Sequence, residues 1–446
     1  MSRIEQFGYK EELKRALTTR DLVVYGLVFM VPIAPYTVFG FVWNDSKGMV
    51  PLAYLVGLVG MFFTAMSYAA MSRAFPVAGS VYSYAQRGLH EIAGFFAGWL
   101  ILLDYILIPA LLYIVSAIAL RPLLPAVPDV AWILVFIVFN AVVNLLGIRF
   151  TARANWYMLV MEMIVLALFV LLGLLALFNG KGAGALTLRP IYDPAVFSLS
   201  TIAGATSIAV LSFLGFDGIS TLSEESRSGP DSVGRATLLS LVMVGALFMA
   251  QTWIATDLSR GLRFSSPETA FYDVVGLVAG PWFKVITLVA VVVSAGVANA
   301  MAAQAAVSRV LFAMARDGKL PGALARVHPR FQTPYVSTLV VAVISAFAGV
   351  LFLDHLDELN RVVNLGALSG FLLLHLSVVN HFFLRRKSRD WLRHLVCPMA
   401  GFLVIGYVLY GMDAAAKLMG AAWIGVGIVY YLVITLLLKK PVALEV

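Results

Sequence analysis

Residues 31–40 read VPIAPYTVFG, within a run from Leu22 to Val42 that carries no formally charged side chain. A run of that length predicts a membrane-spanning helix. Pro32 and Pro35 sit three apart inside it. Each removes a backbone donor and presses its ring against the preceding turn. Backbone that leaves the helix at membrane depth must find partners in protein or in a water-lined cavity. The stretch therefore predicts a span that is interrupted where it lines a cavity.

The rest of the chain agrees with a membrane protein. Of its 446 residues, 61% are hydrophobic and 13% charged, and the mean hydropathy is +0.91. Soluble globular chains are nearer half apolar and a quarter charged. Apolar runs recur near 22–43, 51–71, 93–118, 130–147, 156–178, 200–222, 236–256, 281–306, 335–353, 362–384, 395–412 and 419–438. The reading is an all-α membrane protein with twelve transmembrane helices, forming one polytopic domain over 1–446. The first twenty residues are polar and lack a signal-peptide core, so the first run is expected to remain as a span.

Charge placement tests the count. Of 32 Lys and Arg, 23 fall in segments on the side of the N-terminus, among them Arg3, Lys10, Lys14, Arg149, Arg153, Lys439 and Lys440. The other nine include Lys47, Arg121, Lys284 and Arg361. By the positive-inside rule both termini are expected in the cytoplasm. The net charge of +8 is then a matter of topology and does not call for nucleic acid. The single Cys397 excludes an intramolecular disulfide and matches no metal-site spacing, and packing is its expected role. No nucleophile–base pair or metal-ligand cluster stands at reactive spacing, so neither an enzyme nor a cofactor is expected. Thr18 and Asp21 have the spacing of a capping box before the first run.

A broken first helix suggests a second. Many secondary transporters place discontinuous helices at the midplane of two inverted repeats. If the first repeat is 22–178 and the second 200–384, with 395–438 as two additional helices, helix 1 corresponds to helix 6. Helix 6 contains SFLGFDGIS, residues 212–220, with Gly215, Asp217 and Gly218 inside an apolar run. Glycine weakens a helix interior by roughly 1 kcal/mol relative to alanine. Three acids lie within spans: Asp104, Glu162 and Asp217. A carboxylate at the centre of a span costs about 2.5–3.5 kcal/mol on insertion scales. The expectation is that these acids bind a cationic group of the substrate or, for Asp104 and Glu162, carry a proton. His375 is a weaker proton candidate and reads as a satisfied core histidine. Around the interruption, Ile33, Ala34, Tyr36 and Thr37, with Phe213, Gly215, Phe216 and Asp217, are expected to line the substrate site. Carbonyl and carboxylate acceptors suit ammonium donors, and Tyr36, Phe213 and Phe216 could flank a cation with aromatic faces.

Four stretches carry a resemblance. SRAFPVAGSVYSYAQRGL (72–89) is similar to the helix 2–3 connection of the amino acid–polyamine–organocation superfamily. GFFAGWLILLDYILIPA (94–110) resembles its helix 3, and FLGFDGISTLSEES (213–226) its helix 6 and following loop. SRVLFAMARDGKLPGALARVHPRFQTP (308–334) is similar to the loop after its helix 8. Within the superfamily the chain most resembles the bacterial putrescine-importer branch. The resemblance implies a five-plus-five inverted-repeat fold, alternating access around a midplane site, and no metal. It also marks departures. The Gly-Ser-Gly-type break implied for amino-acid carriers is APYTVFG here, with no amide at Pro35. The acid implied for the putrescine branch near Thr37 is absent. The Lys that many proton-coupled relatives are implied to carry in helix 5 is replaced by Glu162. In this architecture a sodium site is implied to use neighbouring hydroxyls on helix 8, where Ser294 stands without an adjacent or i+3 hydroxyl.

The expected protein is a secondary transporter of the bacterial inner membrane that moves a small organic amine such as putrescine with proton coupling. Its partners are the substrate, protons and the lipid bilayer. The alternative keeps the fold and makes it an amino acid permease or exchanger. A channel or receptor-like sensor is a reading of a different class, separable by saturable counterflow.

Overall fold

The computed structural model describes residues 13, 15–121, 123–229 and 231–437, with the backbone alone described at 148–154, 357, 436 and 437. Arg3, Lys10, Lys14, Lys439, Lys440 and the side chains of Arg149 and Arg153, which enter the charge count, lie outside what is described. Among the described residues there is no strand, only an isolated bridge between Leu17 and Ser226. Ten helices are long and apolar enough to cross a membrane. The pair Thr19–Met30 and Pro35–Ser46, bent by 51°, supplies an eleventh span. The 17-residue apolar helix Tyr335–Leu351 supplies the twelfth.

In chain order, span 1 is the bent pair and span 2 is Val50–Ala74. Spans 3 to 5 are Glu91–Leu120, Asp129–Leu146 and Asn155–Phe178. Spans 6 to 8 are Leu199–Glu225, Asp231–Leu258 and Pro281–Arg316. Span 9 is Tyr335–Leu351, and spans 10 to 12 are Glu358–Arg385, Leu392–Gly411 and Ala414–Thr435. Two short helices do not cross: Ser80–Gly88 between spans 2 and 3, and Ala270–Ala279 between spans 7 and 8. Spans 3, 8 and 10 are the most buried, while spans 11 and 12 are the least. Exposed Val138, Phe347, Leu403 and Leu418 form the apolar exterior that a lipid-facing surface requires. Span 12 is tied to span 3 by a reciprocal exchange, Trp99 Nε1 to the Trp423 carbonyl at 2.9 Å and Trp423 Nε1 to the Trp99 carbonyl at 2.8 Å.

Span 1 begins as the sequence predicts. Thr18 caps it, its hydroxyl accepting from the Asp21 amide at 3.2 Å while the Asp21 carboxylate accepts from the Thr18 amide at 2.9 Å. The helix stops at Met30, and Val31 takes a φ of 52°. Pro35 then starts the second half, where its missing amide costs nothing. Span 6 breaks differently. Its α-helix ends at Ala209, tightens into a 3₁₀ turn over Val210–Phe213, and resumes as 3₁₀ helix from Asp217.

The two breaks touch. Gly215 has a φ of 113°, and a Cβ there would lie 2.9 Å from the Phe29 carbonyl oxygen and 2.7 Å from its ring. A Cβ on Gly218 would lie 2.3 Å from Phe29 Cε1. Phe29 lies in the last turn of the first half of span 1, and its ring sits where helix 6 has no side chains. Gly215→Ala is expected to lower stability by about 1–3 kcal/mol because its backbone is then strained. Gly218→Ala meets only a ring, so Phe29→Leu should recover part of its loss but not that of Gly215→Ala. Thermal unfolding in detergent of Gly215→Ala, Gly218→Ala, Phe29→Leu and the two double variants checks both expectations.

Candidate functional site

Between the broken segments lies a cavity of about 330 Å³. Span 1 contributes Phe29, Met30, Val31, Ile33, Ala34, Thr37, Val38 and Phe41. Leu211, Ser212 and Leu214 come from the break in span 6. The remaining wall uses Ile108 to Ala119 of span 3, Leu288 to Asn299 of span 8, Leu356 and Asn360 at the start of span 10, and Glu268, Thr269 and Tyr272 from the connection before span 8 with Lys284 at that span's start. Thr37 to Phe41 of span 1, Ile108 to Ala119 of span 3, Leu288 to Ala295 of span 8 and Leu356 and Asn360 of span 10 lie in the half of the span away from the N-terminal side. Phe29 to Val31, Ser212 and Leu214 lie near mid-span, so the cavity runs from the breaks into that half of the bundle.

Three of the expected site residues, Ile33, Ala34 and Thr37, line this cavity. The carbonyls expected to be freed by the prolines have local partners. Ile33 oxygen accepts from the Tyr36 amide at 3.0 Å. Ala34 oxygen accepts from the Thr37 amide at 3.2 Å and the Thr37 hydroxyl at 2.9 Å. Pro32 oxygen accepts from Gln251 Nε2 at 2.8 Å. A carbonyl has two lone pairs, so one bond does not exhaust it. Gln251 is buried and also donates to the Leu247 carbonyl at 3.0 Å. It therefore clamps the interrupted backbone to span 7.

The aromatic residues are placed elsewhere. Tyr36 turns from the cavity and stacks on Phe271 with ring centroids 3.8 Å apart, with Phe169 at its edge. Phe213 packs against Phe248 and Tyr54, and Phe216 against Tyr68 and Phe371. Their rings fill the joints between spans, where apolar area is removed from both lipid and water. Gly215 lies against Phe29, as described above. Periodicity places these aromatics inside but cannot tell a cavity wall from a helix joint.

The acids sit behind the wall. Asp104, Glu162 and Asp217 are all buried. Asp217 accepts a short hydrogen bond from the Tyr105 hydroxyl and a longer one, 3.3 Å, from the Gly215 amide. Asp104 lies close enough to Asp217 for their charges to interact. Among the described residues, neither oxygen of Asp104 has a hydrogen-bond partner, and neither does either oxygen of Glu162. Ser294, on the cavity wall, lies beside Glu162. Among the described residues no Lys or Arg pairs with any of the three. His375, by contrast, is satisfied, with Ser67 at 2.9 Å and Thr64 at 3.2 Å from its ring nitrogens.

Span 8 adds a feature that sequence reading missed. Residues Val293–Asn299 form a π-helical segment, and Ser294 and Asn299 both reach the cavity. Five residues apart, they would fall on different faces of an α-helix, whereas a π turn returns the chain after about five residues. Ser212, Glu268 and Asn360 were also missed. Ser212 and Asn360 are polar residues in or beside apolar runs, a signal that could have been followed.

The side toward the N-terminus is shut. Tyr25 donates to the Ala302 carbonyl at 2.7 Å. Arg309 pairs with Glu225, both nearly without solvent contact. Arg316 pairs with Glu224 at 2.9 Å, and Glu224 also accepts from the Ala78 amide at 2.9 Å. Tyr82 donates to Asp317 at 2.7 Å. The stretches around 72–89, 213–226 and 308–334 thus converge on one closure.

A cavity between two broken helices, roofed on one side by ion pairs within a twelve-span bundle, defines a membrane carrier. The profile of the amino acid permease family matches residues 22–443, and the chain belongs to that family. It is 32% identical to the low-affinity putrescine importer PlaP of Escherichia coli strain K12 over 441 residues, 97% of this chain and 96% of that protein. It is 27% identical to the branched-chain amino acid permease BcaP of Bacillus subtilis strain 168, over 95% of this chain and 93% of that protein. With the methylthioribose transporter of the same Bacillus strain the identity is 24%, over 95% and 94%. The chain is a multi-pass membrane transporter and not an enzyme.

Gln251→Leu tests the brace on the broken segment. Loss of the two hydrogen bonds should cost about 1–2 kcal/mol and speed amide exchange over residues 31–37, which hydrogen-exchange mass spectrometry reads directly.

Proposed function

We propose that this protein is a secondary active transporter of the bacterial inner membrane, moving a small organic amine such as putrescine by proton-coupled alternating access. The observation that carries the reading is Asp104, buried near Asp217, with both carboxylate oxygens unpartnered and no basic side chain paired with it among the described residues. A buried charge without a partner is costly. Two species neutralise a carboxylate there: a proton or an ammonium group. Exchange of one for the other couples the two fluxes. Glu162, with no basic side chain paired with it among the described residues and with the cavity-lining Ser294 beside it, is the second such group. The similarity to a putrescine importer over nearly the whole chain supports an amine substrate.

Access is proposed to alternate between the cavity and the opposite face. The cavity side is open to one half of the bundle, while Arg309–Glu225 and Arg316–Glu224 close the other. The charge asymmetry of the loops supports cytoplasmic termini, so the closed side is the inner one. The repeats are proposed as 22–178 and 200–384, with 395–438 added, because breaks at residues 31–34 and 214–216 occupy corresponding spans and meet at Phe29.

An amino acid substrate is the second reading. It is favoured by the aliphatic character of much of the cavity wall, including Ile108, Leu111, Leu112 and Val115, and by the similarity to a branched-chain amino acid permease. Proteoliposomes decide between them. Because a proton and an ammonium group compete for the same acid, putrescine uptake should rise with an outward proton gradient and be blocked by spermidine, not by leucine or alanine. Asp104→Asn should cut gradient-driven uptake at least tenfold while the protein still elutes as a folded species. Leucine uptake without putrescine uptake would overturn the amine reading and leave the family assignment untouched.

A further inference from the structure

The outer mouth of the cavity holds a carboxylate that the reading above does not use. Glu268 lies just before the short helix Ala270–Ala279 and contributes to the cavity wall with Thr269, Tyr272, Lys284 and Asn360. Its side chain is exposed. Lys284 is the only cationic residue among those lining the cavity. It is already committed, with Nζ 3.2 Å from Asp273 Oδ1. The other Asp273 oxygen accepts from the Ser265 amide at 3.1 Å. Glu268 has no hydrogen bond or ion pair among the described residues and stands as the uncompensated charge of the mouth.

We propose that Glu268 is an outer capture site for an ammonium group, which selects cationic over carboxylate-bearing solutes on their way into the cavity. The inference rests on the amine reading of the deeper site. An ammonium group offers three donors. The Glu268 carboxylate, the Thr269 hydroxyl and the Asn360 carboxamide oxygen are acceptors of the right kind, and Tyr272, also in the wall, is an aromatic residue of the class that attracts cations. The site is distinct from the buried acids. Lys284, on the same rim, and Ser294, beside Glu162, are ten residues apart along span 8, about 15 Å at helical rise. A small diamine at Glu268 therefore sits above the deeper acids and does not bridge to them. A single negative charge at a low-dielectric mouth raises the local concentration of cations and repels anions. Its effect belongs to capture, not to the step that moves the substrate.

The test uses the full chain in proteoliposomes, with labelled putrescine and labelled leucine, for the wild type, Glu268→Gln and Glu268→Lys. Glu268→Gln should raise the apparent KM for putrescine about threefold to fivefold, the range of one exposed ion pair, with the maximal rate unchanged. Glu268→Lys should raise it further. The difference should shrink at high salt, where exposed charges are screened. Any leucine uptake should not lose affinity in either variant. An unchanged putrescine KM in both variants overturns the inference, as does a fall in maximal rate at constant KM. Absence of putrescine uptake by the wild type is a separate outcome, visible without any variant, and overturns the amine reading together with the inference built on it.

Discussion

A carboxylate inside a membrane bundle needs something to cancel its charge, and among the described residues no Lys or Arg pairs with the buried Asp104, Glu162 or Asp217. Among the described residues the oxygens of Asp104 and Glu162 meet no hydrogen-bond partner, although Ser294 stands beside Glu162, and Asp217 is held by Tyr105 and the Gly215 amide. Structural ion pairs exist in the same molecule. Arg309–Glu225, Arg316–Glu224 and Lys319–Glu91 are all drawn together at the side facing the N-terminus. The chain therefore neutralises the acids of its closure with its own basic residues, and under the proposed function those near the cavity are neutralised by a proton or by the substrate. That division is what a carrier requires, because a permanently paired acid could neither bind nor release a cation.

The backbone follows from the same requirement. Reaching the acids means opening the bundle at midplane, and opening it means interrupting helices whose polar groups must still be satisfied. Pro32 and Pro35 interrupt span 1, and the freed carbonyls find Tyr36, Thr37 and Gln251. Gly215 and Gly218 let span 6 bend around the Phe29 ring. Each break thus shapes the other. The π-helical segment of span 8 adds the third wall, turning Ser294 and Asn299 into the same space.

Much of this was legible in the sequence, for identifiable reasons. Proline in an apolar run is a local signal whose consequence does not depend on neighbours, so the break after Met30 could be placed closely. Thr18 and Asp21 form a cap within one turn, and that too is local. The glycines of GFDG pointed to the second break, though their reason, the ring of Phe29, lies nearly two hundred residues away in sequence. What remained illegible was direction. Tyr36, Phe213 and Phe216 are as compatible with a cavity wall as with a helix joint until their partners Phe271, Phe248 and Phe371 are known. Glu268 sits in a connection, and nothing local reveals that the connection rims a cavity. The π segment was hidden because no residue type announces it.

The account turns on one exchange, proton for ammonium at the buried acids. The measurement closest to it is the proton count on binding. Putrescine is added to the purified protein in detergent, in a weakly buffered solution near neutral pH, and the protons displaced per bound diamine are counted. The account predicts net release on binding to the wild type and a smaller release in Asp104→Asn. Binding with no proton release, or a release that Asp104→Asn and Glu162→Gln leave unchanged, would contradict it.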